Sequence, residues 1–171
     1  MSDTARRSLQ DLVGVEDYET LGSDQGAKDT AKDLVGDFET GQTSSDHELC
    51  RAFVPSAEAR ATSVAFSLES KTPKDPASSF TQYELGVTAL AKASNAVLYL
   101  KCSSSQFQES GKAEVLLRGE LLNMSTSLPD TERTREENLT VLHAASRALI
   151  EQLGCEKDAG LPAQFSAPQK A

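Results

Sequence analysis

Apolar residues recur at helical spacing twice near the start of the chain. They then alternate with polar ones, and return to helical spacing near the end. In residues 4–13, Ala5, Leu9, Leu12 and Val13 fall at i, i+4, i+7 and i+8. That is one stripe of a short helix, and Gly14 is placed to end it. Residues 27–35 repeat the arrangement with Ala27, Ala31, Leu34 and Val35, and Gly36 follows. The two pieces share Asp-Leu-Val-Gly at a 22-residue offset, and Tyr18-Glu19-Thr20 echoes Phe38-Glu39-Thr40 at a 20-residue offset. Two copies are too few for a solenoid, so the similarity reads as two independent amphipathic helices. Both are too short to stand alone in water. Each must dock on the main body or stay mobile.

After the polar loop 41–48 the pattern changes. Residues 49–54 form a short extended candidate stopped by Pro55, and in 62–68 Val64, Phe66 and Leu68 share one face of a half-buried strand. Residues 71–79 hold two prolines and read as a surface loop. The stretch 80–93 fits two periods: Phe80, Tyr83, Val87, Leu90 and Ala91 suit a helix, whereas Tyr83, Leu85, Val87 and Ala89 alternate as a strand. A hairpin of 82–90 with 96–103 is the preferred reading, because 96–102 is the clearest strand in the chain. Residues 113–123 are another strand with Leu or Val on both faces, and Gly119 inside it signals a bulge or a close backbone approach. A loop with Pro129 fills 125–131.

The last long element, a helix over 132–153, is the most strongly patterned. Thr134-Arg135-Glu136-Glu137 has the form of a capping box, with Thr134 as N-cap and Glu137 at N3. Leu139, Leu142, Ser146, Leu149 and Leu153 make its stripe, and Gly154 stands where a left-handed glycine ends a helix. Residues 158–171 form an extended tail that Leu161 and Phe165 are placed to pin. The fold expected is α+β: a mostly antiparallel sheet of four to five strands, the long C-terminal helix on one face, and short N-terminal helices. The organisation expected is an acidic helical segment 1–47, an α+β core 48–157 and the tail 158–171.

Composition narrows the core. Leu, Ile, Val and Phe number 20, 1, 9 and 6 among 171 residues, so Leu and the 21 alanines must build most of it. The net charge of −9 is uneven: residues 1–48 hold 12 acids and 4 bases, and the remainder is nearly neutral. This balance argues against a nucleic-acid partner, whose backbone is bound by Lys and Arg. No apolar run reaches the roughly 20 residues that span a bilayer, and no basic n-region precedes an apolar h-region.

Candidate chemistry is sparse. His143 lies mid-helix at the edge of the apolar stripe, a boundary position more than a catalytic one. His47 lies in an acidic loop with Asp46, Glu48 and nearby Cys50, from which a metal site or a Cys/His pair could be drawn. A nucleophilic pair needs a base held in place by a third group, and a Ser/Asp/Gly loop lacks that rigidity. No phosphate loop, zinc-protease or nucleophile-elbow motif occurs, so no catalytic residue, metal or cofactor is expected. Asn123-Met124-Ser125 and Asn138-Leu139-Thr140 match the glycosylation sequon.

The cysteines are more informative. Cys50, Cys102 and Cys155 all stand at element boundaries, and their spacings fit no zinc or redox pattern. A Cys50–Cys102 bridge, or a Cys102–Cys155 bridge stapling helix to sheet, would close a loop of about 50 residues, worth roughly 3–4 kcal/mol. Three reduced thiols in a cytosolic domain are the alternative.

The runs Ala96-Val97-Leu98-Tyr99-Leu100-Lys101-Cys102 and Leu149-Ile150-Glu151-Gln152-Leu153-Gly154-Cys155-Glu156 resemble an uncharacterised group of ectodomains. So do Ala159-Gly160-Leu161-Pro162 and the Leu49-Cys50-Arg51 opening. The group belongs to exported or membrane-anchored proteins of Streptomyces-type actinobacteria. The resemblance covers about residues 48–162. It implies an extracytoplasmic α+β domain with disulfide-bonded cysteines, normally behind an N-terminal membrane or lipoprotein anchor, and it implies no activity. The opening Met1-Ser2-Asp3 carries no such anchor, as in a soluble part of a longer chain. The function expected is a non-catalytic exported or cell-surface module that binds a protein or envelope component. The alternative is a cytosolic interaction or inhibitor-type protein using its acidic N-terminal region.

Overall fold

The computed structural model describes residues 2–14, 17–21, 24–55, 57–107, 113–124 and 128–171. Its elements run α1 (Asp3–Val13), β1 (Glu19–Leu21), α2 (Asp24–Thr40), β2 (His47–Val54), β3 (Ala57–Glu69), β4 (Thr81–Tyr83), β5 (Thr88–Lys92), β6 (Asn95–Ser104), β7 (Ala113–Asn123) and α3 (Glu132–Leu153). The fold is α+β, and the sheet is antiparallel throughout, in the order β1-β2-β3-β7-β6-β5-β4. Among the described residues it has seven strands, not four or five. The two additions, β1 and β4, are three-residue edge strands. They are defined by pairing with a neighbour, so neither leaves an alternating pattern long enough to read.

The hairpin over 82–90 and 96–103 is corrected in one respect. β5 pairs with β6 from Thr88↔Tyr99 to Lys92↔Asn95, but the chain doubles back before it. Gly86 adopts φ +61°, and β4 folds onto β5 with Tyr83↔Ala89. A Cβ at Gly86 would meet the Tyr99 carbonyl oxygen at 2.6 Å, so the turn needs glycine on both steric grounds. Val87, expected inside a strand, is left 44% exposed.

α1 begins at an N-cap, Ser2, whose Oγ accepts from the Ala5 N–H (3.2 Å), and ends at Gly14 in the left-handed region. α2 passes straight through Gly36 to Thr40. The same Asp-Leu-Val-Gly therefore ends one helix and continues another. Tyr18-Glu19-Thr20 leads into a strand whereas Phe38-Glu39-Thr40 is helical. α3 starts one turn earlier than a Thr134 N-cap would have it. Thr131 is the N-cap and accepts the Thr134 N–H at 3.2 Å, so Thr134 is buried in the first turn. Both threonines precede acids, and the extended backbone of Thr131 decides between them. Gly154 ends α3 in the left-handed region. Residues 125–127 of the expected loop lie outside the described residues.

All three helices cover one face of the sheet. Leu139, Leu142, Leu149 and Leu153 of α3 are fully buried, as are Phe66, Leu98, Leu100, Leu117 and Leu121 from the sheet. Gly119 lies in unbroken register, Phe66↔Gly119↔Leu98, so it is a close approach and not a bulge. A Cβ there would stand 2.6 Å from the Phe66 ring and 3.2 Å from Leu142. On the opposite face Leu90, Val97 and Tyr99 form a smaller cluster with Phe80 and Leu116. Beside it Arg118 pairs with Glu120 and Asp46, and Asn95 Nδ2 donates to Glu120 Oε1 (2.5 Å).

Both ends of α3 are tied to the sheet. Near its start the fully buried Asn138 donates from Nδ2 to the carbonyls of Lys92 (2.8 Å) and Ala93 (3.0 Å), fixing the β5–β6 turn. At its end Ser104 Oγ donates to the Leu153 carbonyl (2.5 Å) and Gln106 Nε2 to that of Gln152 (2.8 Å). These are carbonyls that a helix terminus leaves without a partner in the helix. Cys102 and Cys155 are joined as a disulfide with Cα atoms 5.0 Å apart. It closes a loop across a sequence separation of 53 residues, which the chain-entropy account values at about 4 kcal/mol. Lys157, Asp158 and Ala159 then take a left-handed turn that sends Leu161 into the core. The tail continues to the β4 edge, where Lys170 bridges to Tyr83 and the Glu84 N–H reaches the Gln169 carbonyl (2.9 Å). Covering that edge removes a row of unpaired backbone groups.

Two glycines give opposite expectations. Gly119→Ala forces a buried ring aside and is expected to cost about 1–3 kcal/mol. Gly36→Ala, mid-helix with nothing within 4 Å of the new Cβ, is expected to gain about 0.5–1 kcal/mol. Urea midpoints that move in opposite directions at unchanged slope would bear this out.

Candidate functional site

Two concave places at the start of β2 hold the histidine and the cysteine that the sequence singled out there. The first is His47. α2 carries Asp33 and Asp37 one turn apart, and packs closely on β2 because Gly26, Ala27 and Ala31 are small. A Cβ on Gly26 would stand 2.3 Å from the Leu49 carbonyl oxygen. His47 Nε2 accordingly donates to Asp37 Oδ2 at 2.8 Å, with Nδ1 3.7 Å from Asp33 Oδ2. Both ring nitrogens face carboxylates. His47 and Glu48 lie in β2 and not in the expected loop, and the flanking acids point elsewhere, Asp46 to Arg118 (3.2 Å) and Glu48 to Arg51 (2.8 Å). The ring is thus an anchor between α2 and β2. Among the described residues no group of three or more His, Cys, Asp or Glu side chains is arranged to hold a metal ion.

The second is Cys50, the free cysteine. Burial, reinforced by the Glu48 carboxylate, pushes its thiol up to about 11. That is the reverse of an activated nucleophile, whose pKa is lowered by a nearby cation or helix N-terminus. Cys50 lines a largely apolar, part-open cavity of about 320 Å³ between α1, α2 and α3 and the strands β1, β2 and β3. Leu9 closes one side, Leu49 and Val64 form the sheet wall, and Ala144, Ala145 and Ala148 of α3 form another. The Leu stripe of α3 faces the sheet, and its alanine side faces this space. Thr62 also lines the cavity, 2% exposed, with an Oγ1 that has no hydrogen-bond partner. That oxygen is shielded from the cavity itself, and the buried Ser67 and Ser146 hydroxyls are unpartnered in the same way.

Sequence reasoning offered Cys50 as a disulfide candidate, but Cys102 pairs with Cys155 and Cys50 is left free, so the Cys50–Cys102 alternative does not form; Thr62 was not singled out. The signal was available: Thr62 continues the two-residue series of Val64, Phe66 and Leu68, a polar side chain on a buried face. The alanines left none, since their role depends on what faces them across the gap.

His143 is 3% exposed. Its Nε2 donates to the Pro162 carbonyl (2.9 Å), and its ring meets Phe165 edge-on. Burial lowers its pKa, the Pro162 carbonyl opposes that, and Arg147 adds to the lowering. It ties the tail to α3 in its neutral form. Of the sequon asparagines, Asn138 is spent on the β5–β6 turn, Asn123 is 5% exposed, and Ser125 lies outside the described residues.

These features define an α+β domain with one helix-covered face, braced by a disulfide and holding an apolar cavity between its helices and sheet. No protein-family model matches the chain, and no curated protein or solved structure does either.

Two titrations test these assignments. The alkylation rate of Cys50 in the folded protein is expected to climb about tenfold per pH unit from pH 7 to 9.5 without levelling, since only the thiolate reacts. A plateau near neutrality would restore the nucleophile reading. For His143 the folded pKa lies below the unfolded value near 6.5. The unfolded chain therefore takes up its proton first as pH falls. The stability that the neutral ring supports is whole above about 6.5 and declines below it, by at most about 1.4 kcal/mol per pH unit. His143→Gln should remove this part of the pH dependence, measured as the difference between the two proteins from pH 7.5 to 5.

Proposed function

We propose that the chain is a non-catalytic, disulfide-braced binding module of an extracytoplasmic or cell-envelope protein. The observation that carries the reading is the Cys102–Cys155 bridge, with Cys102 fully buried. Structural disulfides persist in oxidising compartments and are rare in the cytosol. This one joins the clearest strand to the end of the longest helix, where a small Leu/Ala core gains most from a covalent tie. The resemblance of these two segments to exported actinobacterial ectodomains supports the same reading. Three further observations favour binding over catalysis. The Cys50 thiol is held protonated, the His47 ring is engaged by Asp33 and Asp37, and the His143 ring is engaged by Pro162. The cavity beside Cys50 gives the module a place to bind. Among the described residues no helix is long and apolar enough to cross a membrane.

The test is a thiol count by intact mass on protein folded under a mild oxidant. Denatured without reductant, the chain is expected to take one alkyl group, at Cys50, and after reduction three. The bridge should also survive a glutathione buffer under native conditions. Three thiols that stay free under the oxidant would overturn the extracytoplasmic reading and favour a cytosolic interaction protein.

A further inference from the structure

We propose that residues 161–171 are an arm exchanged between two copies of this chain, each arm docking on the other copy's α3 and β4, with residues 157–160 as the hinge. The proposal goes beyond the binding-module reading and does not depend on the compartment. The observation that carries it is the backbone of the hinge. Lys157, Asp158 and Ala159 lie at φ 49°, 52° and 50°, and Gly160 follows at φ 79°. Three successive residues with side chains in the left-handed region crowd each Cβ against the next carbonyl, a conformation that only glycine takes freely. Such strain persists only where the surroundings impose it. Here the bridge to Cys102 fixes Cys155 just before the hinge, and Leu161, 4% exposed, is fixed just after it. Between them the chain must reverse to run back along α3, and the left-handed turn makes that reversal.

The arm is held by contacts that any copy of the chain can supply. The Pro162 carbonyl accepts from His143 (2.9 Å), and Phe165 meets that ring edge-on. Lys170 Nζ pairs with Glu132 Oε1 (2.7 Å). The Ala171 N–H donates to the Gln82 carbonyl (3.1 Å), and the Glu84 N–H to that of Gln169 (2.9 Å). None of residues 162–171 is buried, so release of the arm past Leu161 gives up little apolar surface. A released arm uncovers the Leu161 slot and the β4 edge, and these fit the same arm of a second copy. Exchange restores every one of these contacts. An extended hinge loses the Leu161 N–H bond to the Asp158 carbonyl (2.9 Å) and the Arg147–Asp158 pair (3.0 Å). The carboxylate of that pair is largely exposed, so the pair contributes little. In return the strain of two hinges is released at once. Exchange of an identical element is a low-cost route to a two-fold dimer.

The test uses the full oxidised chain in sedimentation equilibrium after incubation at about 10 μM and about 1 mM. Monomer is expected at the lower concentration and a non-covalent dimer at the higher. Gly160→Ala, whose Cβ meets nothing within 4 Å, adds strain to the closed hinge and should raise the association constant about tenfold or more. Lys157→Gly removes strain and should lower it about as much. A charge exchange then identifies the arm. A Glu132→Lys chain and an isotope-labelled Lys170→Glu chain each repel their own arm and accept the other's. Mixed in equal amounts and weighed by native mass spectrometry, they should give a ratio of mixed to unmixed dimer about threefold above the statistical one. A chain that stays monomeric at about 1 mM, or hinge variants that shift the equilibrium equally or in the reverse order, would overturn the proposal. So would a statistical mixture of the two charge variants, or a dimer that survives denaturation without reductant through Cys50.

Discussion

The docking of α3 across β5, β6 and β7 is the constraint on which the rest of the structure depends. The core is poor in large side chains, so the Leu stripe of one helix supplies much of the apolar surface that meets Phe66, Leu98 and Leu117. Such a contact is non-directional and by itself would allow the helix to slide. Directional bonds at both ends remove that freedom. Asn138 holds the β5–β6 turn, and Ser104, Gln106 and the Cys102–Cys155 bridge hold the other end. Once α3 is placed, α1 stacks against it, and the tail is tied back through His143 and Pro162 to reach the β4 edge.

The same placement creates the cavity. A helix that turns leucines toward a sheet necessarily turns its other side elsewhere, and in α3 that side is alanine. α1 reaches across with Leu9, but small residues cannot fill the gap between two helices and a twisted sheet. Native interiors are close-packed, and this space is a departure from that density left by the small side chains of α3. Cys50 and His47, neighbours in the sequence, are separated in role. One faces the cavity as an inert thiol, and the other is drawn onto α2 by two aspartates.

Much of this fold was legible where one element carries its own signal. The α1 stripe, the strands around Val64 and Leu98, the 113–123 strand, the glycine ending α3 and the tail's pins are local patterns of period or punctuation. Legibility failed where two local readings competed or where a partner decided. Thr131 and Thr134 both suit a cap, and the backbone at Thr131 chose. Gly36 looks like Gly14, yet α2 continues because Phe38 and Asp37 find partners in Phe107 and His47. Strand 82–90 broke because Gly86 must pass close to the Tyr99 carbonyl.

The sequence alone determined the class: an α+β chain with a Leu/Ala core, an acidic first quarter and three cysteines at element boundaries. These are properties of composition and short-range period, which need no knowledge of neighbours. The tertiary structure decided which cysteines met, since a bridge requires Cα atoms within a few ångströms and spacing says nothing of that. It also decided that Thr62 is buried without a partner beside a cavity. Both facts are distances between segments remote in the chain, and such distances are set by packing, which a one-dimensional pattern does not encode.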